Sequence, residues 1–198
     1  MKVAILTDYL TTYGGAERVL DAIIECVPDA DIYTSQFWPE YFPESYKKLN
    51  IRTSFLDFLP KIKSLRSFYR KLSFFAFSSF NLSNYDLVIT QTSGPAIWFK
   101  KSIDQKHISY FQLIPSFDLK EKKNIIESFF SKKSHEYAKN IDILINNSNY
   151  ISTEFERVYA IKPNVIYPPV DIAKIQSIQS QSSEAILTSY NLQPRSYF

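Results

Sequence analysis

The stretch DYLTTYGGAERVL, residues 8 to 20, sets two of the chain's three glycines side by side between an apolar run and a helical pattern. A doubled glycine at the start of a helix suits one kind of chemistry. Without Cβ atoms it permits positive φ and close approach, so an anion can reach the first-turn amides and the positive end of the helix dipole. A phosphate fits that description. A ligand-free tight turn fits the same residues, and the two readings stay open at this level. Two other phosphate motifs are excluded. The GxGxxG spacing is missing, and the second apolar run, DIYTSQF, ends without the acidic residue that holds a ribose; no lysine follows the glycines where a P-loop needs one, and Arg18 lies one turn into the helix.

Polar residues at the ends of apolar runs are the next candidates. Asp8 and Tyr9 follow the first run, Gln91, Thr92 and Ser93 close DLVITQT, Asn147 and Ser148 close DILINNS, and Tyr13 offers an aromatic ring. Each also has a plainer role. Ser148 suits a helix N-cap, Ser93 with Gly94 and Pro95 suits a turn, and Asp8 suits loop amides, while Glu17 and Arg18 pair with neighbours or face water. His107 and His135 read as strand-end and surface residues. With Cys26 far from both, they give neither metal-ligand spacing nor a nucleophile and base, so no catalytic residue, metal or cofactor is assigned.

The elements that position these groups follow from periodicity. KVAILTD, DIYTSQF, DLVITQT, HISYFQL, DILINNS and NVIYP are short, mostly continuous apolar runs, as parallel strands buried on both faces require. Between them, Val19, Leu20, Ile23, Ile24 and Val27 share a helical face, as do Ile125, Ile126, Phe129 and Phe130. The expectation is an α/β, Rossmann-like, doubly wound parallel sheet of six strands with helices on both faces and ligands at the strands' carboxyl ends. One domain over 1–171 is expected, followed over 172–198 by a polar helix and linker rich in Ser and Gln. A lone cysteine, a short opening apolar run and the lack of any membrane-length apolar stretch predict a cytoplasmic chain.

The net charge of +3, with 20 acidic residues, falls short of a dedicated nucleic-acid binder. Its distribution is more informative. From Phe58 to Tyr85 the chain carries Lys61, Lys63, Arg66, Arg70 and Lys71, no acidic residue and eight aromatics. This cationic, amphipathic segment suits an anionic membrane surface, with the protein peripheral on its inner face. Equally, it suits phenylalanines packed on the sheet beneath a solvated basic face.

Taken together, TYGGAERVLDAI, PDADIYT, YDLVIT, NNSNYISTEFERVY and VIYPPVD resemble the amino-terminal half of glycosyltransferase family 4, retaining enzymes of the GT-B fold. The resemblance covers essentially the whole chain. It implies two Rossmann-like domains across a cleft, the first mainly holding the acceptor and the second most of the nucleotide-sugar donor. It implies also that Gly14, Gly15 and Ala16 approach the donor phosphates, with the amides of Gly15 and Ala16 stabilising the leaving diphosphate. Topology adds Asp8, Tyr13, Ser93, Gly94 and Gln112 as acceptor-side contacts. Two departures bear on activity. FQLIP places Gln112 where the family's active-site histidine is expected, and glutamine hydrogen-bonds without transferring a proton. LQPRSYF resembles the start of the donor domain, cut off at Phe198. The expectation is half of a sugar-transferring enzyme, inactive alone, acting on a saccharide or lipid-linked acceptor. The alternative is a non-catalytic, stand-alone glycan-binding, nucleotide-binding or interaction module.

Overall fold

Strand β1 (Val3–Thr7) is buried along its whole length. Ala4 and Leu6 enter one core with Phe74, Phe77, Val88, Trp98, Phe111, Phe130 and Phe155, whereas Ile5 enters a second with Leu20, Ile32, Phe42 and Tyr46. Burial on both faces is what an apolar run without alternation encodes. The computed structural model describes residues 1–60, 66–172, 175–176 and 187. After β1 come α1 (Gly15–Cys26), β2 (Asp31–Thr34), β3 (Ile51–Thr53), α2 (Arg66–Ser78), β4 (Leu87–Thr92) and β5 (Lys106–Phe111). Then follow α3 (Ile125–Ala138), β6 (Ile143–Asn146), α4 (Asn149–Tyr159) and β7 (Asn164–Val165).

The strands form one parallel sheet in the order β3-β2-β1-β4-β5-β6-β7. Helix α1 packs on the second core, and α2, α3 and α4 on the first, so both faces are covered. The sheet is the expected doubly wound one, with seven strands instead of six. The addition is β3, whose three residues pair only with β2. A short edge strand has no room for a buried run, and its central Arg52 turns to the Tyr33 hydroxyl at 3.2 Å. The chain divides into two compact units, Met1–Pro168 and Pro169–Phe198. Of the second, the described residues show one helical bond, from the Ile175 amide to the Asp171 carbonyl at 3.1 Å.

Helix α3 packs by a different face from the one its apolar residues mark. Ile125, Ile126 and Phe129 are 90%, 65% and 47% exposed, and the buried face is Phe130, Ser131, Ser134 and Ala138. The two serines let the helix approach Trp98, whose indole nitrogen donates to the Ser134 hydroxyl at 3.3 Å while its ring stacks on Phe130 and Tyr137. His135 bridges α3 and α4. Its ring nitrogens lie 2.8 Å from the Ser131 carbonyl oxygen and 3.0 Å from that of Val158, and the ring stacks on Tyr159.

His107 is not the strand-end residue its flanks suggest. It is buried inside β5, with Nε2 3.0 Å from the Thr90 hydroxyl and its ring edge-on to Phe99. Burial, with a smaller contribution from Lys101, pushes its pKa down to about 3. The folded state therefore binds fewer protons than the unfolded chain, whose histidine titrates near about 6.5, so stability falls as pH drops from about 6.5 towards 3. Between neutral pH and pH about 4.5 this group alone is expected to remove about 2–3 kcal/mol. Urea unfolding at the two pH values should show His107→Leu losing less stability on acidification than the parent; equal losses would mean that the buried ring does not set the acid response.

Candidate functional site

The sheet order reverses its direction of growth between β1 and β4, and there the carboxyl ends of two neighbouring strands feed loops that leave to opposite sides. Asp8, the first residue beyond β1, organises that point. One of its carboxylate oxygens accepts from the Thr92 hydroxyl at 2.5 Å and the Ala96 amide at 3.0 Å, and the other accepts from the Ser93 amide at 2.6 Å. The Thr92 oxygen itself accepts from the Gly94 amide at 2.8 Å. The buried aspartate thus fixes the turn that carries the chain from β4 through Ser93, Gly94 and Pro95.

Gly94 is the position where a bare backbone is required. Its φ is +134°, and a Cβ built on it would lie 2.6 Å from Cγ of Pro115. The proline belongs to the loop after β5, so a side chain at Gly94 would push two cleft loops apart. Between those loops lies a cleft of about 180 Å³, lined by Asp8, Tyr9 and Ser93 at the strand ends, Lys71 and Phe74 of α2, and Pro95, Pro115, Ser116 and Phe117. That is room for several waters or a small polar ligand. Its wall combines hydroxyls, aromatic rings and one lysine.

The doubled glycine lies beside the same strand ends, outside the cleft lining. Gln91 joins the two places, accepting from the Thr7 hydroxyl at 2.5 Å and donating to the Ala16 carbonyl at 3.0 Å. Neither Gly14 nor Gly15 has positive φ, which corrects the conformational part of the sequence reading. Gly14 is extended, and its amide donates to the Glu17 carboxylate at 2.8 Å, closing the helix start. Burial pushes the Glu17 carboxyl up, against the two backbone amides that lower it. At Gly15 a Cβ would meet nothing within 4 Å. The pair leaves the α1 amino terminus accessible without needing glycine for its backbone shape.

Other predicted site residues divide between scaffold and surface. Tyr13 donates to one carboxylate oxygen of Asp21 and Tyr46 to the other, each at 2.5 Å. The Asp21 hydrogen bond is the main cause that pushes the Tyr13 hydroxyl up to about 12, and its ring sits edge-on to Phe42 and Tyr46. Gln112 extends the β4–β5 pairing through its amide to the Thr92 carbonyl at 2.9 Å, and its own carbonyl accepts from Asn147 at 3.0 Å. Ser148 caps α4, accepting from the Ile151 amide. Asp8 and Ser93 therefore reach the cleft, Gly94 shapes it from behind, and Tyr13 and Gln112 do not line it. Lys61 and Lys63, and the side chains of Arg66 and Arg70, lie outside the described residues. Of that basic set Lys71 is described, and it is a cleft residue as well as a surface one. Sequence reasoning missed Phe74, Pro115, Ser116 and Phe117 as cleft walls; the Pro-Ser pair soon after the β5 run was the available signal. Among the described residues no group of three or more His, Cys, Asp or Glu converges as a metal site would, and no helix is long and apolar enough to cross a membrane.

No protein-family model matches the chain, and no curated protein does. Solved structures do. HepE of Anabaena in complex with UDP superimposes with a TM-score of 0.59 at 17% identity, covering 96% of this chain and 49% of that one. The same Anabaena protein with UDP-glucose gives 0.56 at 15% identity, with 96% and 49% covered. What the chain shares with these structures is the fold, an α/β, Rossmann-like, doubly wound parallel sheet. The chain spans about half the length of the Anabaena chains that it matches.

Proposed function

We propose that residues 1–168 are the acceptor-side half of a retaining glycosyltransferase of family 4. The complete enzyme takes a sugar from a nucleotide-sugar donor and passes it to a saccharide or lipid-linked acceptor at an anionic membrane surface. The observation that carries this reading is the cleft at the β1–β4 switch point with an open helix amino terminus beside it, in a fold whose Anabaena neighbours were solved with UDP and UDP-glucose. Ser93, Ser116 and the Phe74 and Phe117 rings offer hydroxyl and stacking contacts of the kind a sugar uses, and Asp8 keeps the Ser93 turn in place.

Chemistry at the other side concerns the leaving diphosphate, whose charge grows as the glycosidic bond breaks. Glu17 already takes the Gly14 amide, so the first-turn donors assigned to that charge are the amides of Gly15 and Ala16. In this reading base, ribose and sugar are gripped by a second domain, and one Rossmann-like half leaves a bound donor hydrated and unoriented. Gly15→Val, in the two-domain enzyme, tests the assignment. A Cβ at this position meets nothing within 4 Å, so the variant is expected to melt close to the parent. Its turnover in a radiolabelled sugar-transfer assay is expected to fall about 10²–10³-fold, the scale of losing one oxyanion donor, and the 198-residue chain alone is expected to transfer nothing. Parental turnover in a folded Gly15→Val enzyme would remove the phosphate role from the glycine turn.

A further inference from the structure

The outer faces of α2 and α3 carry a stripe that neither core nor fold explains. On α2, Phe68, Lys71 and Phe75 recur at i, i+3 and i+7 and are all exposed; on α3, Ile125, Phe129 and Lys132 follow at i, i+4 and i+7, with Ile126 beside them. The stripes join into one patch. The Phe75 and Phe129 rings stack with centroids 6.5 Å apart and planes 18° from parallel, and Phe74 and Phe75 both meet Phe130. Charge links the helices too, since Glu127 of α3, held below the usual carboxylate range first by its Lys120 hydrogen bond, also feels Lys71 of α2. A soluble surface seldom leaves two isoleucines of one helical turn this open beside two phenylalanines.

The chain's modest net charge conceals a polarity along the sequence. Residues 60–85 and 119–139 contain eleven of the 23 basic residues and only three of the 20 acidic ones, so the rest of the chain is net acidic. Apolar side chains set among lysines match the boundary between anionic headgroups and acyl chains. We propose that the α2–α3 face docks on an anionic lipid bilayer, with Phe75, Ile125, Ile126 and Phe129 at the acyl boundary and Lys71, Lys122 and Lys132 on headgroups. Lys71 also lines the cleft, so docking brings the cleft mouth to the membrane plane. This narrows the acceptor of the proposed transfer to one carried in that bilayer, the single step that rests on the functional reading.

The test is sedimentation of the 198-residue chain with phosphatidylcholine vesicles, with and without phosphatidylglycerol. Binding is expected only with the anionic lipid, and it is expected to fall as salt rises towards about 1 M, where the screening length shrinks from about 8 Å to about 3 Å. Ile125→Glu with Ile126→Glu keeps acidic residues in the first turn of α3, where the helix dipole favours them, and is expected to weaken binding more than about tenfold with an unchanged melt. Lys71→Gln, Lys122→Gln and Lys132→Gln together are expected to do the same at low salt, each lysine contributing about fivefold. A parent that stays in the supernatant, or variants that bind like the parent, would overturn the proposal. So would a parent dimer that the isoleucine variant converts to monomer, which would make this face a protein interface. The assay contains neither donor nor acceptor. Vesicle binding by this chain, with no transfer by the two-domain enzyme in the radiolabel assay, would therefore sink the functional reading alone, and transfer by that enzyme without vesicle binding would sink only this one.

Discussion

Gly94→Ala is expected to cost about 2–6 kcal/mol, whereas Gly15→Ala is expected to leave stability unchanged or slightly raised. At Gly94 two penalties add. A φ of +134° is a region that side chains seldom adopt, worth about 1–3 kcal/mol of strain, and the new methyl would sit 2.6 Å from Pro115 with Phe74 at 3.6 Å behind it, which costs another 1–3 kcal/mol, roughly, in forced movement. At Gly15 neither penalty applies, and alanine is the better helix former by about 1 kcal/mol in a helix interior, less in a first turn. For a domain of this size, at about 2–4 °C per kcal/mol, the Gly94 variant should melt about 4–24 °C below the parent. Thermal melts of the two single variants, run side by side, decide the matter. If Gly94→Ala melts with the parent, the β4 and β5 loops are not packed against each other as described, and the cleft between them loses its fixed walls.

The contrast between the glycines shows what a sequence does and does not make legible. GG before a helix attracts notice because the pair is adjacent, yet the glycine whose replacement is strained stands alone in TSGPA. The reason for it is Pro115, which arrives from the loop after the next strand. Tertiary approach of that kind leaves no local signature. The sheet was legible where burial on both faces writes itself as a run, as in β1 and β4, and illegible in β3, where three residues at an edge carry an arginine. Helix α3 misled for a related reason. Its apolar side chains mark a face, but the sheet-side contact is made through Ser131 and Ser134, whose small size matters more than their polarity. Within the site, Asp8 and Ser93 followed from the rule that ligands gather at strand ends. Lys71 and Phe74 did not follow, because nothing in residues 58–85 says which turn of α2 passes over the β1–β4 switch point.

Asp8→Ala separates the two jobs that its position allows. As a scaffold, the carboxylate gathers the Thr92 hydroxyl and the Ser93 and Ala96 amides into one place; as a ligand group, it would present an oxygen to an acceptor hydroxyl. The geometry weights the first role. The side chain is buried, and both of its carboxylate oxygens hold the turn leading to Gly94. Truncation leaves the Ser93 amide and the Thr92 hydroxyl without their acceptor, while the Ala96 amide keeps a longer contact to the Thr92 oxygen at 3.3 Å. At about 1–3 kcal/mol for each of the two orphaned donors, the expected loss is about 2–6 kcal/mol, read as a lower urea midpoint with an unchanged slope. Asp8→Asn keeps one acceptor oxygen but turns an amino group towards a donor, so about half that loss is expected. Loss of the anchor should also loosen Ser93 and Pro95, weakening the proposed acceptor binding even in the fraction that stays folded. An Asp8→Ala protein with the parent's urea midpoint but no acceptor binding would reverse the assignment: the carboxylate would then be a contact for the sugar, and the turn from β4 would be held by Thr92 and Pro95 without it.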